Sequence, residues 1–300
     1  MNARMPLRMF IALDPSDVSR DVLRFIRDVA PLDSVVRVVP GEASILPPAD
    51  ATIPVLEPLH DVLVRDAKGA LSDARHFFAH AGIRADTQTI ELSGRDADIG
   101  HAIVMAAASW NAELIVVGAR QHQRWLRWLE GSVSGALTGL CCCPLLIVPH
   151  ARSVGERDRP VRFLFAVDSA EDAQRCATYG LRLAMPTSHL RAVCVAAPAP
   201  AWSGGHNGLD FERGAKALAA ARQILERASG NVTTATIGAA ETSDDIARVL
   251  VCEAAEWDAD LLVMGMHSSR GLKRLVVGSV ARQVAHLTRT PLLLVDVLAA

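Results

Sequence analysis

The chain has 300 residues, of which 50% are apolar, 21% charged and only 4% aromatic, and its formal net charge is −2. That balance excludes a collagenous or disordered chain and leaves no electrostatic footprint for nucleic acid, and no run of Lys or Arg supplies one. No apolar run approaches the roughly 20 residues that span a bilayer, and the opening residues do not read as a cleaved leader. A cytoplasmic location, with neither nucleic acid nor membrane as partner, is the default expectation.

In chain order, Met9-Phe10-Ile11-Ala12-Leu13-Asp14 reads as an apolar strand closed by an acid. Positions 16–30 read as a helix, with Ser16 as its cap and Val18, Leu23, Ile26 and Val29 on one face. A strand over 35–39 follows, then a Pro- and Gly-containing loop over 40–54, a helix over 56–81, an alternating strand over 84–91 and a helix over 96–110. Leu114-Ile115-Val116-Val117 ends at Gly118, Gly131-Ser132 opens a helical pattern carrying Val133, Leu137 and Leu140, and Pro144 introduces Leu145-Leu146-Ile147-Val148. The polar stretch 150–159 reads as a linker. The second half then repeats the order: a strand over 161–167 closed by Asp168, a helix over 171–185, a strand over 190–196, a loop over 197–208, a helix over 211–228, a strand over 231–238 and a helix over 244–256. Leu261-Leu262-Val263-Met264 ends at Gly265, Gly278-Ser279 opens a helix with Val280, Val284 and Leu287 at i, i+4, i+7, and Pro291 introduces Leu292-Leu293-Leu294-Val295.

Gly118 and Gly265, Gly131 and Gly278, and Pro144 and Pro291 are each 147 positions apart. One motif at one register, twice, predicts a duplicated domain, with boundaries at 1–150 and 159–300. The alternation of strand and helix predicts an α/β class, each domain a five-stranded parallel sheet with helices on both faces.

The chemistry of the repeated motif points to an anion. A glycine at the carboxyl end of a buried parallel strand lets backbone approach a ligand with no Cβ in the way, and ligands of open α/β sheets bind at that end. Gly-Ser at the start of a helix offers amide donors, a hydroxyl and the positive end of the helix dipole to a phosphate. A tight turn plus an ordinary cap explains either half of the motif alone, but less well both halves at fixed spacing.

These residues resemble the universal stress protein family, whose nucleotide-binding members carry Gly, two residues, Gly, nine residues, Gly, then Ser or Thr. The resemblance covers nearly the whole length and implies a tandem two-domain member built from two Rossmann-like, adenine nucleotide alpha hydrolase-like domains. It implies ATP or a related adenine nucleotide, with Mg2+, as ligand. The implied contacts are Asp168, Val195, Gly265, Ser268, Gly278 and Ser279 in the second half, and Asp14, Val38, Gly118, Gly131, Ser132 and Ser134 in the first. In the family the strand-closing Asp contacts the adenine end and a Val late in the second strand packs on the base; Val38 and Val195 are the nearest matches. The family's second glycine falls on Gln121 in one half and Ser268 in the other. A Gln side chain crowds the phosphates more than a Ser, which can also donate a hydrogen bond, so the second half is the better candidate for occupancy. Against that ranking, Ser134 supplies a further hydroxyl two residues beyond Gly131-Ser132, where the second half has Ala281. The resemblance further implies that the two halves pair as an intramolecular pseudo-dimer through their last strands, with a homodimer as a further assembly.

Other signals are weaker. Asp14 and Asp168 could simply cap the helices that follow them. Three contiguous thiols, Cys141-Cys142-Cys143, poorly encircle one metal ion and read better as small residues entering a strand. His76 and His80 share a helix face but have no evident third ligand, and Trp125 and Trp128 read as packing residues. No P-loop, HExxH or GxSxG motif is present. The reading is therefore a nucleotide-responsive regulatory protein rather than an enzyme. Its alternatives are a scaffold of the same fold that works without nucleotide and, less favoured, a slow ATPase.

Overall fold

The computed structural model describes residues 6–13, 17–31, 33–40, 57–90, 99–118, 143–149, 159–196, 207–239, 242–266 and 278–295. The chain divides into two compact units, Met1–Gly155 and Glu156–Ala300. In the first, strands β1 (Arg8–Leu13), β2 (Val35–Pro40), β3 (Arg84–Thr87), β4 (Leu114–Gly118) and β5 (Leu145–Val148) lie in the order β3-β2-β1-β4-β5, all parallel. In the second, β6 (Arg162–Ala166), β7 (His189–Ala196), β8 (Val232–Ala239), β9 (Leu261–Gly265) and β10 (Leu292–Val295) lie in the order β8-β7-β6-β9-β10, again all parallel. From the first strand the chain moves outward on one side for two strands, then crosses back and moves outward on the other. Right-handed crossovers in opposite directions place their helices on opposite faces.

The helices of the first unit are α1 (Asp17–Val29), α2 (Glu57–His80) and α3 (Ile99–Ser109); those of the second are α4 (Ala170–Leu183), α5 (Asn207–Leu225), α6 (Ser243–Glu256) and α7 (Ser279–Leu287). In the second unit α4 packs on α5, and α6 on α7. The central strands are buried on both faces, as continuous apolar runs demand: Phe10, Ile11, Val116 and Leu146 in one core, Phe163, Leu164, Val263 and Leu294 in the other.

Two expectations change on contact with the structure. The strand predicted over 84–91 stops at Thr87. The Gln88 amide still donates to the Val38 carbonyl (2.9 Å), but the next bond of a parallel ladder would need an amide hydrogen at position 40, and Pro40 has none. The apolar stripe of α7 also differs from the predicted Val280, Val284 and Leu287. Ala281, Val284, Ala285 and, just past the helix, Thr288 are buried, while Leu287 is 45% exposed. Spacing of i, i+3, i+4, i+7 turns small residues inward, on a helix packed against α6, and leaves Val280 and Leu287 as flanks.

At the amino-terminal edge of each sheet the same device is built twice. Arg8 and Arg37 hold their guanidinium groups 4.3 and 4.9 Å from the Trp110 ring centre; Arg162 and Arg191 stand 5.7 and 6.0 Å from that of Trp257. Each first arginine donates its backbone amide to a carboxylate, Glu113 at 3.0 Å or Asp260 at 2.9 Å, and its guanidinium to the tryptophan carbonyl. Each tryptophan follows a helix end and is itself followed by a left-handed residue, Asn111 or Asp258, both with φ of 53°. Polar residues tolerate that conformation better than most others.

Candidate functional site

The site is built from the carboxyl end of the second sheet, where strand order reverses between β6 and β9. Gly265 closes β9 in register with Val295, and the Met266 amide donates to the Val295 carbonyl at 2.7 Å. The chain returns at Gly278, whose amide donates to the Met266 carbonyl at 2.7 Å, and α7 begins at the next residue. Gly278, at the cap position, has no side chain to cap this helix start, and the first intrahelical bond is Arg282 N–H to the Gly278 carbonyl (3.0 Å). The amides of the first turn thus have no helical acceptor, and the exposed Ser279 hydroxyl lies beside them. Asp168 stands two residues beyond Ala166, which pairs with Met264. Its backbone carbonyl accepts from Arg213 Nε of α5 at 3.1 Å. On the other side of β6, Val195 is half-buried near the end of β7, where a β-bulge at Gly238 of β8 (φ 36°) breaks the ladder. The positive φ at position 238 favours glycine, and a Cβ there would sit 3.0 Å from Val249, a tight contact. Val195, Asp168, Gly265, Gly278 and Ser279 therefore share one edge of the unit.

In the first unit Gly118 pairs with Val148 as Gly265 pairs with Val295, so the two strand-closing glycines are equivalent in register. Val38 is not the counterpart of Val195. It pairs with Ile11 and is fully buried, whereas the matching position in the second sheet is Ala192, paired with Phe165; Val195 lies three residues further out. Val38 is thus a core residue, and a contact with a base there would need the sheet to open. Asp14, Gln121, Gly131, Ser132, Ser134, Ser268, Trp125, Trp128, Cys141 and Cys142 lie outside the described residues.

Asp168 is not the helix cap. Ser169 is, its hydroxyl accepting the Asp172 amide at 3.1 Å. Asp172, Cys176 and Arg213, which sequence reasoning did not select, lie around Asp168. Asp172 Oδ2 accepts the Asp168 amide (3.3 Å) and Oδ1 accepts the Cys176 thiol (3.4 Å). Burial, reinforced by the charge of Asp168, pushes the Asp172 carboxyl up to about 7, and burial pushes the Cys176 thiol well above its ordinary value. The spacing Ser169-x-x-Asp172 was a capping signal that could have drawn attention to the acid; nothing in the sequence marked Arg213.

Cys143, half-buried, donates its thiol to the Ala112 carbonyl at 2.6 Å. His76 and His80 are exposed, with His80 Nδ1 2.7 Å from the His76 carbonyl. Among the described residues no group of three or more His, Cys, Asp or Glu side chains is arranged to hold a metal ion, and no helix is long and apolar enough to cross a membrane.

Tandem doubly wound α/β units, each with a glycine-closed strand at its switch point, define a Rossmann-like pair. The chain belongs to the universal stress protein family, whose model matches it twice, over residues 5–149 and 161–296. It is 30% identical over 237 residues to universal stress protein Rv2623 of Mycobacterium tuberculosis (strain ATCC 25618 / H37Rv), an alignment covering 74% of each chain. Among solved structures it resembles a universal stress protein from Archaeoglobus fulgidus DSM 4304, with a TM-score of 0.63 at 18% identity over 96% of both chains. It also resembles the cytoplasmic domain of a prokaryotic cation chloride cotransporter, with a TM-score of 0.55 at 11% identity over 97% of this chain and 96% of that one. These two structural likenesses speak to the fold alone.

Proposed function

We propose that the protein is a regulatory nucleotide-binding module whose second unit holds an adenine nucleotide, ATP with its Mg2+, at the carboxyl edge of β6, β7 and β9. The observation that carries this reading is the start of α7: a helix without a side-chain cap, opening at Gly278-Ser279 beside the glycine that closes β9. That arrangement suits the phosphates, which would meet the first-turn amides and the Ser279 hydroxyl; the family resemblance adds Ser268 to the same set. Asp168 would accept donors from the adenine and ribose end, and Val195 would give the base an apolar surface. The first unit offers the corresponding set Asp14, Gly118, Gly131, Ser132 and Ser134, but carries Gln121 where backbone should approach the phosphates, and its Val38 is in the core. Occupancy of the second unit is the reading, within domains bounded at 1–150 and 159–300, in the cytoplasm.

One observation favours a second reading, a scaffold that works without nucleotide: the Gly278 amide is already taken by the Met266 carbonyl at 2.7 Å, which removes one donor from the cradle. The two readings separate on purified protein. Denaturing it and chromatographing the supernatant should release about one adenine nucleotide per chain, in keeping with one accommodating unit. Asp168→Ala and Gly278→Val should each abolish that retention. Unchanged affinity for Mg-ATP in both variants, measured by titration calorimetry, would sink the assignment, and no nucleotide in the wild type with no heat on titration would leave the scaffold.

A further inference from the structure

Behind the second unit's crevice runs a chain of polar groups whose acid and thiol are replaced by valines at the matching positions of the first unit. Arg213 Nε donates to the Asp168 carbonyl (3.1 Å), the Asp168 amide donates to Asp172 Oδ2 (3.3 Å), and the Cys176 thiol donates to Asp172 Oδ1 (3.4 Å). The Asp172 amide in turn is held by the Ser169 hydroxyl at 3.1 Å. Asp172 is only 4% exposed and Cys176 is fully buried. Positions 154 residues earlier, as Asp14 is to Asp168, are Val18 and Val22. Among the described residues, the titratable and charged groups facing the Asp172 carboxyl are Asp168 at the strand end, Cys176 one turn along α4 and Arg213 from α5. The strands beneath α4 bring Phe165 and Val263 against it at Gly180.

We propose that Asp172 is a positioning residue whose neutral, protonated form favours nucleotide binding at Asp168, so that the affinity of the second unit rises as pH falls through neutrality. This rests on the reading of that crevice as a nucleotide site. The phosphates of a bound nucleotide add negative charge to the edge where Asp168 already opposes a charge on Asp172. That raises the electrostatic cost of ionising Asp172, a few ångströms behind and shut off from water. Binding therefore favours protonation of Asp172, and by reciprocity protonation of Asp172 favours binding. The geometry couples the two directly, since Asp172 Oδ2 holds the amide of the very residue whose side chain meets the ligand. Burial already sets the carboxyl at about 7, where a small change in pH or charge alters its occupancy by a proton.

The test is calorimetric titration of the full chain with Mg-ATP between pH 6 and 8, wild type against Asp172→Asn. Asn keeps the acceptor for the Asp168 amide but has no charge. The phosphate titration of the ligand is common to both proteins and cancels in the comparison. The wild type should bind about fivefold more tightly at pH 6 than at pH 8 relative to the variant. It should also take up protons at pH 7, seen as a dependence of binding heat on the buffer's ionisation heat, and the variant should not. Parallel profiles with nucleotide still bound would overturn the role of Asp172 and leave the nucleotide site standing; no binding by either protein at any pH would remove both. A second measurement needs no variant. In protein labelled with carbon-13 at aspartate carboxyls, one carboxyl should titrate near pH 7, and saturating Mg-ATP should move its midpoint upward. An unmoved midpoint would overturn the proposal.

Discussion

The two edges of the sheets have had different histories. At the amino-terminal edge the units match residue for residue: Arg8, Arg37, Trp110 and the left-handed Asn111 in one, Arg162, Arg191, Trp257 and the left-handed Asp258 in the other. At the carboxyl edge Ser169, Asp172 and Cys176 stand where the first unit has Pro15, Val18 and Val22. The amino edge only has to fasten a helix end to the sheet, a task that is the same in both copies. Ligands of such sheets bind at the other edge, so difference there changes what each copy can do while the fold is left alone.

The sharpest way to break this comparison is to remove its symmetric part. Trp110→Ala should destabilise the first unit by about 3 kcal/mol, since it deletes an aromatic body clamped by two guanidinium groups and packed 6.2 Å from Phe10. Trp257→Ala should cost the second unit about 2 kcal/mol, because its arginines stand further off, at 5.7 and 6.0 Å. Denaturant unfolding of both variants measures the ranking. A negligible loss in either would mean that the duplicated geometry is not a duplicated source of stability.

A smaller effect sharpens the comparison at the cores. A Cβ on Gly180 of α4 would come within 2.5 Å of the Phe165 ring. The same two positions in the first unit, 154 residues earlier, are Ile11 and Ile26, both fully buried. One large ring over a bare helix turn thus replaces two branched chains. Gly180→Ile should destabilise by roughly 2 kcal/mol through overpacking, and adding Phe165→Ile should restore most of the loss, because the double variant rebuilds the first unit's pair. Additive losses in the double-mutant cycle would show that the two cores do not share one packing solution.

How much of this was legible in the sequence follows from where each signal is written. Strand-closing Gly118 and Gly265 and helix-opening Gly278 lie in short local patterns at one offset, and the fold followed from them. The tryptophan devices repeat too, but across two offsets. Arg8 and Arg162 are 154 apart while Trp110 and Trp257 are 147 apart, because the second copy is shorter between its second and third strands. The same change of loop length hid the misalignment of Val38 with Val195, since only the ladder fixes register. The group around Asp168 was legible least. It joins a strand end to the first turns of α4 and to Arg213 of α5, and no local pattern encodes how two helices meet over a sheet.

The smallest effect isolates that group in the absence of any ligand. The Asp172 carboxyl is pushed up to about 7 in the folded chain from an ordinary value of 3.8, chiefly because burial penalises its charge and then because Asp168 opposes it. Below the lower value the acid is protonated in both states and imposes no ionisation cost. Between the two, the unfolded chain loses the proton while the folded chain keeps it, so this group's contribution to stability falls as pH rises, and the fall ends once the folded acid ionises. Asp172→Asn removes that dependence. It should leave stability nearly unchanged at pH 4 and raise it by roughly 1 kcal/mol at pH 8, since a single pKa unit is worth about 1.4 kcal/mol and Asn still has to be buried and hydrogen-bonded. Val22→Cys in the first unit is the control: a thiol without the acid should not create the pH dependence. Thermal unfolding of the three proteins at the two pH values decides it. A gain at pH 8 no larger than at pH 4 would mean that Asp172 is not a buried acid in the folded chain, and the difference between the carboxyl edges would reduce to shape.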